Sequence, residues 1–190
     1  MIENLLQRDR ELLIYLNNLG SEQWDAFWLF ITNQFNWIPL FAFIIYLIFK
    51  AFGWKKGGML LLVLIIMVAF SDQYTNFIRG VFERLRPNND ITINHLLRPK
   101  LINPQSFSFT SGHATTSTAF SVFIILLLLK KRYAKIKFLV FFPLIFAYSR
   151  IYLGVHFPVD IFCGAINGLL IGAIFYKVAL FLIDKKLKTI

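Results

Sequence analysis

Five long apolar runs set the pattern of the chain, at about 24–49, 59–79, 111–129, 136–153 and 159–182. Each is near the roughly 20 residues that a helix needs to cross a bilayer, so the pattern predicts five spanning helices. Ahead of them, Ile2, Leu5, Leu6, Leu12, Leu13 and Leu16 recur at close to helical spacing, with Arg8, Asp9, Arg10 and Glu11 between. This predicts an N-terminal amphipathic helix lying on the membrane surface. Gly20 and Ser21 read as a helix stop and a new N-cap. Trp24, Trp28, Trp37 and Trp54 fall near or within the ends of the first run, as an aromatic belt would. Pro143 is predicted to kink the fourth helix, which a bundle tolerates. The expected fold is all-α: an integral membrane helical bundle forming one domain over 1–190, with an outer loop at 80–110. Internal repeats and low-complexity tracts are absent from the sequence.

Composition agrees with that pattern. Hydrophobic residues make up 57% of the chain and charged residues 16%, less charge than a soluble surface of this size carries. The mean hydropathy is +0.63. A net charge of +10 would suit nucleic acid, but the basic residues flank apolar runs instead of forming one polar face. No nucleic-acid partner is expected. The charges orient the spans instead. Lys50, Lys55 and Lys56 follow the first run; Lys130, Lys131, Arg132, Lys135 and Lys137 follow the third; Lys177, Lys185, Lys186 and Lys188 end the chain. An alternating path puts all three groups on one side, which the positive-inside rule makes cytoplasmic. The N-terminus and the 80–110 and 150–158 loops then share the opposite side, with most of the reactive polar residues. Cys163 is the only cysteine, which excludes a disulfide framework and a cysteine-based zinc site. Residues 1–20 lack the basic start and apolar core of a cleavable signal peptide, so the spans are expected to direct insertion.

Three clusters carry chemistry. In the first, Arg79 and Arg86 stand seven apart and Pro87 follows. Two guanidinium groups there can hold phosphate oxygens by paired hydrogen bonds, or they can snorkel to lipid headgroups. Pro87 disfavours helix at Arg86, which places that arginine at a helix exit. In the second, Thr110-Ser111-Gly112-His113 opens the third run. Ser111 is a good N-cap, and the first N–H groups of a helix point at any bound anion. Gly112 lets the backbone approach closely, and His113 falls in the first turn beside that anion. The third is Ser149-Arg150-x5-His156-x3-Asp160. Pro158 suits the first helical position. Asp160 in the first turn can then accept from one nitrogen of His156 and leave the other free to attack. Around the first cluster, Asp72, Asn76 and Arg79 share a helix face, and Glu83 continues it. These acids and the amide are expected to support Arg79. Arg84 is a secondary phosphate candidate, and His95 a bystander.

Together the clusters resemble the type 2 phosphatidic acid phosphatase superfamily, whose pattern is Lys-x6-Arg-Pro, Pro-Ser-Gly-His and Ser-Arg-x5-His-x3-Asp. The third motif matches fully, Thr110 stands for proline in the second, and Arg79 for lysine in the first. The resemblance implies that His156 attacks phosphorus to form a phosphohistidine and that Asp160 orients it. His113 would protonate the leaving oxygen and then activate water. Arg79, Arg86 and Arg150, with the Ser111 hydroxyl and the Gly112 N–H, would hold the equatorial oxygens. No cofactor is expected, and no metal either, because the outer loops lack the carboxylate and histidine cluster of a two-metal phosphatase.

The implied activity is removal of phosphate from a lipid, with membrane lipids as surroundings. Undecaprenyl pyrophosphate ranks first as substrate by analogy with small bacterial enzymes. Phosphatidylglycerophosphate, phosphatidate and lipid A phosphate are the alternatives. The expected location is a bacterial cytoplasmic membrane, with the site facing the periplasm or outside. A vanadate haloperoxidase is disfavoured because the halide-oxidising relatives are soluble. A non-catalytic transporter or lipid-binding protein would have no need for both histidines and Asp160.

Overall fold

The computed structural model describes residues 2–186, so Lys188 of the C-terminal basic group lies outside the described residues. Six helices carry the fold: α1 (Ile2–Asn18), α2 (Asp25–Thr32), α3 (Ile38–Phe82), α4 (Gly112–Leu129), α5 (Phe141–Tyr152) and α6 (Pro158–Lys186). No strand occurs among the described residues. The all-α membrane bundle is as expected, but the spans are divided differently. Among the described residues, three stretches are long and apolar enough to cross a membrane: Gln34–Phe82, Gly112–Leu129 and Pro158–Asp184.

The first of these holds two arms. Gly53 interrupts α3 with φ 72° and ψ 173°. A Cβ on Gly57 would meet the Phe49 ring at 2.7 Å and its Cα at 3.3 Å. Along one straight helix eight residues span about 12 Å, so the chain folds back at Gly53. Ile44 and Ile48 of one arm then share a buried core with Leu60, Val63, Leu64 and Met67 of the other.

The expected run at 24–49 is broken as well. Asn33 leaves helical geometry and its side chain accepts from the Phe35 N–H at 3.1 Å. Asn36 donates to the Phe30 carbonyl at 2.8 Å, and Trp37 Nε1 to the Ile31 carbonyl at 2.8 Å. These side chains compete with the backbone for its hydrogen bonds, which makes α2 a separate helix of 8 residues. The fourth run becomes a 3₁₀ segment, Ala134–Val140, followed by α5. Pro143 therefore sits in the first turn of α5 and does not kink a long helix. Its missing N–H belongs to the donors that have no intrahelical partner in any case.

α4 is the central helix: Ala114, Ala119, Phe123, Ile124, Leu127 and Leu128 are fully buried. It packs on α6 through a stripe of glycines. Gly164, Gly168 and Gly172 lie four residues apart and so on one face. A Cβ on each would stand 2.7, 2.4 and 2.6 Å from the carbonyl oxygens of Ser111, Thr115 and Ala119. Small residues at this spacing let membrane helices approach backbone to backbone. The opposite face of α6 presents Phe162, Leu170, Ile174 and Phe181 outward, as lipid contact requires.

α1 exposes Leu5, Leu6, Leu12 and Tyr15, in keeping with an interfacial helix. It is also docked into the bundle. Leu13 and Asn17 are buried, and Asn17 Nδ2 donates to the Ile151 and Tyr152 carbonyls at 3.1 and 2.7 Å.

Candidate active site

The N-termini of α4 and α6 meet, and the site is built where they do. Ser111 caps α4, its hydroxyl accepting from the Ala114 N–H at 3.4 Å, and its own N–H donates to the Asp160 carbonyl at 3.1 Å. Gly112 is held close to the first arginine: a Cβ there would lie 3.1 Å from Arg79 Nη2. His113 follows in the first turn, its ring stacked on Phe146 with centroids 4.8 Å apart.

α5 delivers Arg150 at its C-terminal end, buried and donating to the Thr32 hydroxyl at the end of α2. The chain then turns at Gly154, whose φ of 63° suits a residue without a Cβ. His156 follows with no exposed surface, just before Pro158 begins α6. Asp160, also fully buried, faces it in the first turn, with Oδ2 3.5 Å from His156 Nδ1. That separation is longer than a normal hydrogen bond. Oδ2 meanwhile accepts from the Phe157 N–H at 2.9 Å and from the Ser108 hydroxyl. Ser108 thus stands between the pair, its Oγ 3.5 Å from the same imidazole nitrogen.

The other imidazole nitrogen, Nε2, lies 3.1 Å from Arg86 Nη1. Arg86 adopts an extended conformation before Pro87. It is pinned by the Ser106 carbonyl at 2.6 Å, the Ser106 hydroxyl at 2.9 Å and the Val155 carbonyl at 3.0 Å. Burial, then the charge of Arg79, lowers Arg86 to about 10, so it stays cationic at neutral pH. Burial, with the charges of Arg86 and Arg150 adding to it, pulls His156 down to about 3. A neutral imidazole against a guanidinium keeps its Nε2 lone pair free of a proton.

Arg79 donates through Nε to the Thr110 carbonyl and through Nη1 to Asn76 Oδ1, both at 3.2 Å. Asn76 in turn donates to Asp72 at 3.2 Å. The three therefore form a chain that aims the guanidinium. Glu83 lies elsewhere. α3 ends at Phe82, Glu83 takes a left-handed conformation with φ 45°, and its side chain is exposed. The face that would have joined Arg79, Glu83 and Arg86 stops one turn short. Ser149 turns its hydroxyl back to the Phe146 carbonyl at 2.6 Å. Arg84 is in two ion pairs: its Nη1 meets Asp160 Oδ1 at 2.7 Å and its Nη2 meets Asp9 Oδ2 at 2.7 Å. Sequence reasoning missed Ser106, Ser108, Thr32 and Asp9, since no local spacing ties them to the histidines. Among the described residues no group of three histidine, cysteine, aspartate or glutamate side chains could hold a metal ion.

The bundle gathers two histidines and three arginines at the end of its central helix. The chain belongs to the PAP2 superfamily, whose sequence profile matches residues 57–184. It is 36% identical over 184 residues to a lipid A 4'-phosphatase of Bacteroides thetaiotaomicron, covering 94% of this chain and 80% of that protein. A lipid A 4'-phosphatase of Porphyromonas gingivalis is 29% identical over 95% of this chain and 76% of its own length. An undecaprenyl-diphosphatase of Sulfolobus acidocaldarius is 30% identical over 83% and 64%. Among solved structures, the phosphatidylglycerolphosphate phosphatase of Bacillus subtilis superposes with a TM-score of 0.72 at 22% identity, covering 92% of this chain and 86% of that one. Aquifex aeolicus LpxE superposes with a TM-score of 0.61 at 26% identity, over 88% and 93%.

Proposed function

We propose that the chain removes a phosphate from a membrane lipid through a phosphohistidine, with lipid A 4'-phosphate as the leading substrate. The observation that carries the mechanism is the buried His156, with Nδ1 toward Asp160 and Nε2 3.1 Å from Arg86. Nε2 attacks phosphorus, the bond from phosphorus to the lipid oxygen breaks, and His113 gives that oxygen its proton. His113 then takes a proton from water, the water oxygen bonds phosphorus, the P–N bond breaks, and inorganic phosphate leaves with His156 restored. Arg79, Arg86 and Arg150 neutralise the oxygens where negative charge spreads. Arg150 Nε and Thr110 Oγ1 support the reading as well, because both are buried without a hydrogen-bond partner. An unmet buried donor costs about 1–3 kcal/mol, which a bound phosphate oxygen would offset. No metal takes part in this mechanism.

The substrate order differs from the expectation drawn by analogy with small bacterial enzymes, which put undecaprenyl pyrophosphate first. Two relatives are lipid A 4'-phosphatases and one is an undecaprenyl-diphosphatase, which moves the phosphomonoester ahead. The basic flanks support a bacterial cytoplasmic membrane with the site on the outer side, where a headgroup arrives with its tails still in the bilayer. The test is phosphate release by protein in detergent micelles from lipid A, undecaprenyl pyrophosphate, phosphatidylglycerophosphate and phosphatidate. Lipid A should turn over fastest. No release from any of the four, or unchanged release by His156→Ala, overturns the proposal.

A further inference from the structure

Asp9 is the acid of the N-terminal helix that the fold buries, at 4% exposure, and the reaction above gives it no task. Its two oxygens reach different parts of the site. Oδ1 accepts from the Val159 N–H at 2.9 Å, one of the free donors at the start of α6. Oδ2 holds Arg84 Nη2 at 2.7 Å. The same guanidinium turns its Nη1 to Asp160 Oδ1 at 2.7 Å and lies over the Phe157 ring at 3.7 Å. Arg84 is thus fixed at both ends of its fork and on one face.

The consequence falls on Asp160. Arg84 anchors Oδ1 while the Phe157 N–H and the Ser108 hydroxyl hold Oδ2, so Arg84 completes the set of bonds that keeps Oδ2 facing His156 Nδ1. We infer that Asp9 and Arg84 are positioning residues for the Asp160–His156 pair, so that the N-terminal helix forms part of the catalytic apparatus. This rests on His156 as the nucleophile. It also replaces the phosphate-binding role that the sequence suggested for Arg84: a guanidinium bonded to two carboxylates has little left for an anion.

Steady-state kinetics on the full chain in detergent test this with Asp9→Asn, Arg84→Gln, Arg84→Lys and the Asp9→Asn/Arg84→Gln double variant. Asparagine keeps an acceptor for Val159 but loses the charge that holds Arg84. Asp9→Asn and Arg84→Gln should each lower kcat roughly tenfold to a hundredfold, by analogy with the loss when a hydrogen-bond partner that orients a metal-ligating side chain is removed. KM and inhibition by inorganic phosphate should stay within about threefold. Arg84→Lys should recover part of the loss. The double variant should be no slower than Arg84→Gln, because Asp9 acts through Arg84. Asn17→Ala, which loosens the same helix without touching the pair, controls for simple undocking and should keep kcat.

Wild-type kcat in Asp9→Asn overturns the inference. So does a kcat loss in Asn17→Ala equal to that in Asp9→Asn, or a double variant that multiplies the two single losses. A raised KM with unchanged kcat in Arg84→Gln would make Arg84 a phosphate ligand and overturn it too. Unchanged activity in His156→Ala, by contrast, would fault the underlying reaction and not the positioning.

Discussion

Gly168 sets the distance between the two helices that carry the chemistry, so Gly168→Ala should lower activity from a position far outside the site. The added Cβ would stand 2.4 Å from the Thr115 carbonyl oxygen and 2.7 Å from Thr118 Cβ. An ordinary contact lies at about 3.5 Å, so α4 and α6 must part by about 1 Å. Thr115 is two residues from His113, and Gly168 is eight residues from Asp160, on helices too stiff to absorb the shift locally. A displacement of about 1 Å at reacting groups costs about a hundredfold in rate, and overpacking a tight contact costs about 1–3 kcal/mol of stability. Phosphate release and the thermal midpoint of the purified variant measure both. Gly58→Ala is the control, since nothing lies within 4 Å of a Cβ there and alanine favours helix by about 1 kcal/mol. Wild-type turnover in Gly168→Ala would refute the claim that this stripe sets the active-site geometry.

Acid should weaken the fold through His156. Its folded value of about 3 lies below the ordinary 6.5, so the unfolded chain binds the extra proton between those limits and stability falls as pH drops from about 6.5 toward 3. At pH 5 the loss is about 2 kcal/mol, read as a lower thermal midpoint than at pH 7. His156→Gln should flatten that difference, and an equal slope in both proteins would refute it. His113→Ala should slow dephosphorylation and let radiolabelled phosphate accumulate on the protein in an acid-labile form; label that survives acid would place the covalent bond elsewhere. Activity should persist in excess EDTA, and a loss restored by a divalent ion would exclude the metal-free mechanism.

The parts of the site legible in the sequence are those fixed by local backbone chemistry. Ser111 before Gly112 and His113 is a helix cap wherever it occurs, and Pro158 places His156 outside a helix and Asp160 within its first turn. Arg86 before Pro87 is extended for the same local reason. Asp9 reads in the sequence as one charge among Arg8, Arg10 and Glu11 on a solvated face. Its burial depends on α1 docking against a helix start 150 residues away. Ser108 and Thr32 are hidden for the same reason: they serve the His156–Asp160 pair and Arg150 only after distant parts of the chain are packed together. The glycines of α6 did carry a signal, a repeat of four on one face, which goes unread when the run is taken only as apolar enough to span.

These differences share a physical cause. A membrane bundle gains little from burying apolar surface, because the lipid is as apolar as its neighbours. Its helices are held instead by close backbone contact and by polar ties at their ends. In this chain the two devices act on the same atoms. The Gly164, Gly168 and Gly172 stripe seats α4 on α6, and Ser111 N–H to the Asp160 carbonyl locks the two N-termini together. Asp9 and Asn17 then fasten α1 across the top, to the start of α6 and the end of α5. The glycine seam, the Ser111–Asp160 tie and Asp9 therefore also set His156 against Asp160, whereas Asn17 serves docking alone, which is why changes at Asp9 or the α4–α6 seam should register in kcat before they register in substrate binding.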